Sequence, residues 1–570
     1  MSLRAPDGVP DSRGLNLFAA DPGFRALLEL HLEPALAAHL MPHMERLGAM
    51  AGAELDEWAL EADKNPPALR GQTIEKHAAY RKLEEVAFST YGLAAMSHRA
   101  GVLGWPEPLP PVVKYALTYV YVQAEFGVCC PVSMTDAAAR TIRKYADPAL
   151  AARYLPALTS QDMDALLQGA MFMTEQHAGS DVGAIRTRAV REGDAWRLYG
   201  EKWFCSNADA GLALVLARPE GAPAGTRGLS LFVMPRRLPD GTPNRYRIVR
   251  LKDKLGTRDM PTGEIALEGA LAYLVGDPQR GFVQMADVIN MSRLSNGVRA
   301  AGLMRRALTE ALFVARNRIA FGKPLIELPL VRRQLLKLML AAEAARSVMF
   351  YTALELATAD AGDDAARRRV RLLTPLIKFR ACRDARRATG DAMEVRGGVG
   401  YTEEWSDARL VRDAHVGSIW EGTSNIVALD AMRAIRREAA LEALVADLDR
   451  RIAQAPRLLA ARVAASLDKA AAFAFETASV GPEANARQAA SGLYYAVAAA
   501  LLADEGTRLA ERGDCRRQLL ALLAYLHRLA PRDPLRGESQ RVEDAFAQAL
   551  LPETPVGPEA LERILSMLSH

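Results

Sequence analysis

The chain is poor in cysteine: Cys129, Cys130, Cys205, Cys382 and Cys515 are five in 570 residues, an odd number with no Cys-x-x-Cys pair. This argues against a disulfide framework and against zinc, and no metal site is expected; it fits reduced thiols in a cytoplasm. Long apolar runs are lacking too. The longest, Leu493 to Ala503, is well short of the roughly 18 to 20 residues that cross a bilayer. The opening MSLRAPDGVPDSRG carries proline, glycine and charge where a signal peptide would need an apolar stretch. A soluble, cytoplasmic protein with a flexible lead-in is therefore expected. Neither sign of charge dominates: 72 Lys plus Arg against 68 Asp plus Glu leave +4, which gives no nucleic-acid footprint of its own. No GxGxxG stands at a strand-to-helix junction, which disfavours a Rossmann fold, and internal repeats are not apparent.

What is present is ample material for cores, since half the residues are hydrophobic, in a chain long enough for three to four domains. Apolar residues at helical spacing (Phe24, Leu27, Leu28, Leu32) open a helical domain over residues 1–168. Between 169 and 281 the texture turns to short β-rich runs with Gly, Pro and Asp turns and no intervening helices, predicting a small antiparallel barrel or sandwich. Long helical stretches return over 282–440, and their breaks at Pro324, Pro329, 360–364 and 396–401 predict an antiparallel four-helix bundle. Residues 441–570 read as a further alanine-rich helical domain. The whole is mainly α with a small β domain.

One stretch organises the functional reading. In HVGSIWEGTSNIVALD, His415 to Asp430, Glu421 stands between the bulky pair Ile419 and Trp420 and the small pair Gly422 and Thr423. Large apolar neighbours dispose a carboxylate to burial, Gly422 lets a ligand or backbone approach, and Thr423 or Ser424 can cap the helix carrying Ile426, Leu429, Met432 and Ile435. A carboxylate held before a helix N-terminus is a reasonable address for a catalytic base.

Four distant stretches belong with it. MTEQHAGSD, from Met173 to Asp181, and KWFCSN, from Lys202 to Asn207, offer the hydroxyls of Thr174, Ser180 and Ser206 and the ring face of Phe204, suited to a planar, hydrogen-bonding cofactor. RIAFG, from Arg318 to Gly322, places a guanidinium that suits a phosphate pair, and EVRGGVGY supplies Gly397, Gly398 and Gly400. This order of domains and these motifs resemble the acyl-CoA dehydrogenase flavoproteins over about 22–437. PRRLPDG (Pro235 to Gly241), RLKDKLG (Arg250 to Gly256), Asn65-Pro66-Pro67, the tryptophan before Glu421 and the C-terminal extension are similar to the AidB branch of that family.

The resemblance implies FAD, held by Met173, Thr174, Ser180, Phe204, Cys205, Ser206, Arg318, Phe321, Glu394, Gly397, Gly398 and Thr423. Glu394 stands where many relatives have glutamine. It implies a middle β-barrel, a homo-oligomer, dimer or tetramer, with Arg318 reaching a neighbouring subunit's flavin, and an acyl-CoA contacted by Ser180, Asn290, Arg293 and Gly422. Asn290 replaces an acid usual in relatives. Glu421 is then the base of α,β-dehydrogenation, with hydride transfer to flavin N5 and an electron-transfer flavoprotein as acceptor. The alternative is an AidB-type flavoprotein with little dehydrogenase activity that acts in the alkylation response and binds DNA. Residues 441–570 carry 15 Lys plus Arg and 17 Asp plus Glu, a net of 15 − 17 = −2, which leans against DNA unless Arg512, Arg516 and Arg517 form a basic face.

Overall fold

A computed structural model describes residues 8–568 except 534, 536 and 538. The chain forms two compact units, one from Met1–Glu54, Tyr115–Gln123 and Asn296–His570, the other from Leu55–Lys114 and Ala124–Ser295.

The second unit is built on a barrel. A small hairpin, β1 (Ala68–Arg70) and β2 (Thr73–Glu75), precedes β3 (Gly169–Phe172), β4 (Arg188–Glu192), β5 (Ala195–Ser206), β6 (Leu212–Pro219), β7 (Ser230–Pro235), β8 (Tyr246–Leu251) and β9 (Thr262–Val275). Pairing runs β6–β4–β5–β9–β7 and returns from β7 to β6, so the sheet closes on itself, with β3 beside β6 and β8 beside β9. Closure removes exposed edges and encloses a core that includes Phe172, Leu198, Val215, Phe232 and Ile265. The expected barrel is present, but it is not purely antiparallel. β6 pairs in parallel with both β3 and β4, because neither is joined to it by a tight hairpin. The helix Cys129–Tyr145 of this unit is buried along most of its length, as its small side chains allow.

The first unit is helical. Its bundle consists of the helices Gly281–Asn317 (from Asn296 onward in this unit), Pro329–Asp360, Asp364–Arg396, which runs through Pro375, and Ser424–Glu438. Gly297 permits the first and third to meet closely: a Cβ there would lie 2.8 Å from Ile377 Cγ1. The extension adds the helices Ala440–Ile452, Arg457–Ser479, Ala486–Ala510, Arg516–Ala524, Gln540–Leu550 and Pro558–Met567. Buried ion pairs join it to the bundle, Arg517 to Glu343 at 2.8 Å and Arg305 to Glu553 at 2.6 Å. Among the described residues no helix is long and apolar enough to cross a membrane.

Candidate active site

Glu421 lies on the short segment between the helices Ser406–Val416 and Ser424–Glu438. Its φ is 52°, a left-handed conformation that a non-glycine residue adopts only where its surroundings impose it, and Gly422 follows at 99°. The surroundings are explicit. The amide nitrogen of Asn296 donates to the Glu421 carboxylate, and the Asn296 carbonyl oxygen accepts from the Trp420 indole at 2.6 Å. The buried Lys378 ammonium donates to the Gly422 carbonyl, and the buried Arg299 guanidinium lies 4.9 Å from the centre of the Trp420 ring. Cys382 donates to the Asn296 backbone carbonyl at 3.6 Å; burial pushes its thiol up to about 11, against the opposing pull of Lys378 and Arg299, so it stays protonated and serves as packing.

Two local expectations are corrected. Ile419 does not box the carboxylate, since 60% of it is exposed, and Glu421 itself is half-buried. The carboxylate accepts a hydrogen bond from the Asn296 amide. Thr423 occupies the N-cap position of the following helix, with its side chain making no capping bond.

In the barrel unit the two flavin-like motifs are stapled together. The Lys202 ammonium donates to Met173 O at 3.2 Å, to Leu216 O at 2.9 Å and to the Glu175 carboxylate at 2.9 Å. Glu175 also accepts from the backbone of Arg186 and Thr187, and Trp203 N donates to Thr174 O at 2.8 Å. Burial raises the Glu175 carboxyl, but Lys202 and these donors outweigh it and hold it below the ordinary carboxylate value. A bulge in β5 between Lys202 and Cys205 lets both point inward and turns Trp203 and Phe204 outward. Phe204 is 57% exposed, with the Lys252 ammonium 4.8 Å from its ring centre and 3.4 Å from that of Trp203. Ser206, half-buried, lies 3.4 Å from the Thr262 hydroxyl, and Ser180 is exposed. Cys205 faces the barrel core, so only its backbone is available to a ligand.

In the helical unit Arg318, Glu394, Gly397 and Gly398 converge. Arg318 donates to Arg396 O at 2.7 Å, and a Cβ on Gly397, whose φ is 78°, would sit 3.3 Å from the same guanidinium. A Cβ on Gly398 would meet nothing within 4 Å. Phe321 and Gly322 both have positive φ, 53° and 77°, at the tip of the hairpin joining Ile319–Ala320 to Lys323–Pro324, a type I′ turn that leaves Phe321 91% exposed. Glu394 is exposed, with Gln334 donating to it at 3.5 Å. Asn290 and Arg293 touch each other at 3.5 Å one helical turn apart.

Asn296, Arg299 and Lys378 escaped sequence reasoning. Lys378 left a signal, as a cation in the largely apolar run LLTPLIKF, but Asn296 and Arg299 stand among other polar residues, and which of them faces Glu421 depends on how elements distant in sequence pack. The basic face imagined for Arg512, Arg516 and Arg517 does not exist. Arg516 and Arg517 are buried, with Arg517 paired to Glu505 at 2.6 Å and to Glu343 at 2.8 Å.

Family models match three successive stretches: the AidB N-terminal domain of the adaptive response protein over 8–165, the acyl-CoA dehydrogenase middle domain over 170–270, and the acyl-CoA dehydrogenase C-terminal domain over 279–436. The putative acyl-CoA dehydrogenase AidB of Escherichia coli (strain K12) is 35% identical over 421 residues, 71% of this chain and 75% of the relative. This chain belongs to the acyl-CoA dehydrogenase family. Acyl-CoA dehydrogenase family member 11 of Caenorhabditis elegans is 32% identical over 435 residues, covering 73% and 70% of the two chains. The solved structure of Caenorhabditis elegans ACDH-11 in complex with C11-CoA aligns with a TM-score of 0.84 at 27% identity over 95% of each chain. Members of this family are FAD-dependent oxidoreductases, and the residues present fit that cofactor. An outward aromatic face at Phe204, flanking hydroxyls, and an arginine beside a glycine turn with open space at Gly398 are the features a flavin nucleotide needs.

Proposed function

We propose that the protein catalyses α,β-dehydrogenation of an acyl-CoA thioester with Glu421 as the base. The observation that carries this reading is the strained, hydrogen-bonded setting of Glu421: a left-handed glutamate fixed by Asn296 and followed by a glycine whose carbonyl is anchored by Lys378. Such strain persists at sites where the surrounding structure over-determines a geometry that function requires.

Bound FAD supplies the acceptor for the β-hydride at N5. The chain supplies the rest. Phe204, Thr174, Ser206 and the Met173 and Cys205 backbone would hold the flavin ring, while Arg318, Phe321, Glu394, Gly397, Gly398 and Thr423 would serve its phosphate and adenine ends, Arg318 across a dimer or tetramer contact. The exposed Phe321 ring supports that assignment, because an apolar tip in a strained turn gains by being covered. Ser180, Asn290, Arg293 and Gly422 would receive the acyl-CoA. The Glu421 carboxylate then takes the α-proton, which backbone N–H donors at the thioester carbonyl make acidic. An electron-transfer flavoprotein is the acceptor class that fits this chemistry.

Anaerobic mixing with a panel of acyl-CoAs tests the reading. The flavin of the wild-type protein should bleach with at least one of them, and Glu421→Gln should bind FAD normally yet reduce it on the order of 100- to 10,000-fold more slowly. A Glu421→Gln protein that bleaches at the wild-type rate would place the base elsewhere.

A further inference from the structure

A second set of cations lies in the helical unit, where the helices Pro329–Asp360 and Asp364–Arg396 meet the extension. There Lys337, Arg387, Arg528 and Arg532 line a cavity of about 130 Å³, together with His527, Asp384 and Asp391. Two of the cations make no ion pair with an acid among the described residues. Lys337 is half-buried and has no hydrogen bond or ion pair among the described residues. Arg528 has a buried Nε–H with no hydrogen-bond partner among the described residues, and its guanidinium lies 5.0 Å from the Tyr495 ring centroid. The acids present balance only part of the group. Asp384 is engaged by Arg380 at 2.5 Å and by the Tyr495 hydroxyl at 3.0 Å, and Asp391 pairs with Arg387 at 3.5 Å. Burial and the neighbouring Arg333 and Arg387 hold Lys337 below the ordinary lysine value, with Arg532 adding to them and Glu543 opposing.

Like charges gathered around a half-buried ammonium are unfavourable unless an anion joins them. The backbone reinforces the point, since Arg528 and His527 sit on a π-helical turn, Tyr525–Leu529, a distortion that recurs at functional sites. We propose that Lys337, Arg387, Arg528 and Arg532 form a binding site for one tetrahedral oxyanion of the phosphate class. The size selects the ligand: the cavity is smaller than the roughly 300 to 1,000 Å³ of pockets that take drug-sized molecules, so it accommodates a single phosphate group and not a nucleotide. Bound there, the anion bridges bundle and extension.

Calorimetric titration of the FAD-loaded full chain with inorganic phosphate at low ionic strength, against chloride at matched ionic strength, tests this. One phosphate should bind per chain with saturation, and Lys337→Gln and Arg528→Gln should each weaken it about tenfold or more, the loss expected for a charge-assisted hydrogen bond. Arg387→Gln, at a largely exposed side chain that no fold depends on, should weaken binding as well and guards against a folding artefact in the other two. Heats that never saturate, or that persist unchanged in all three variants, would overturn the site. A short DNA duplex binding more tightly than phosphate and lost in the same variants would replace the small-anion reading with a nucleic-acid surface.

Discussion

Asn296 donates its amide to the Glu421 carboxylate and accepts the Trp420 indole with the same side chain, so one residue fixes both the charge and the ring that precedes it. If Glu421 is the base, Asn296 is its positioning residue. Asn296→Ala should then lower the rate of flavin reduction by about 100-fold, the loss typical of a misplaced reacting group, while leaving FAD content near wild type. Stopped-flow bleaching under anaerobic conditions reads the rate. A merely structural role would instead appear as lost FAD or a lowered Tm with unchanged turnover per bound flavin.

Arg318 is anchored to the Arg396 carbonyl and leans on Gly397, which keeps its guanidinium in place without making it part of a hydrophobic core. Arg318→Ala should release FAD on dilution or gel filtration while the apoprotein keeps its helical circular-dichroism signal. Retention of FAD equal to wild type would remove Arg318 from the phosphate-binding set.

Lys202 and Glu175 are both fully buried in the barrel, and Lys202 also ties Met173 to the strand that bears Phe204. Removing one partner leaves the other charge uncompensated, a loss of about 3 to 5 kcal/mol. Lys202→Met should therefore lower Tm sharply, and the double variant Lys202→Met with Glu175→Gln should recover part of it. Additive losses in that cycle would mean the pair is not coupled.

Glu505 gives the extension an acid-sensitive joint. Burial alone would raise its carboxyl, but Arg517, His31 and Ser347 lower it from 4.5 to about 2. A carboxyl depressed in the folded state contributes stability above the unfolded value, and that contribution fades as pH falls from about 4.5 toward about 2; its full size is about 3 kcal/mol. Thermal melts should show the wild-type advantage over Glu505→Gln present at pH 7 and diminished at pH 3. Arg517→Gln should destabilise at pH 7 without changing the salt dependence of any DNA binding, because its guanidinium is buried.

Some of this was legible in the residues alone. Short β-rich runs with Gly, Pro and Asp turns marked the barrel, helical stripes marked the bundle and the extension, and the motifs around Thr174, Phe204, Arg318, Gly397 and Glu421 carried the resemblance to the family, because local texture and short contiguous motifs are written in neighbouring positions. Tertiary structure alone decided the rest, since it turns on contacts between residues far apart in the chain. Phe204 faces outward and Cys205 inward because a bulge shifts the register of β5 against β9. Asn296 meets Glu421 across 125 positions because the fold brings its helix, Gly281–Asn317, to the segment ahead of Ser424–Glu438. Arg516 and Arg517, basic on the page and apt for a surface, are buried because Glu343 and Glu505 arrive from other helices to pair with them. Charge is counted along a sequence, but whether it meets solvent or a counter-ion is settled only when distant helices pack.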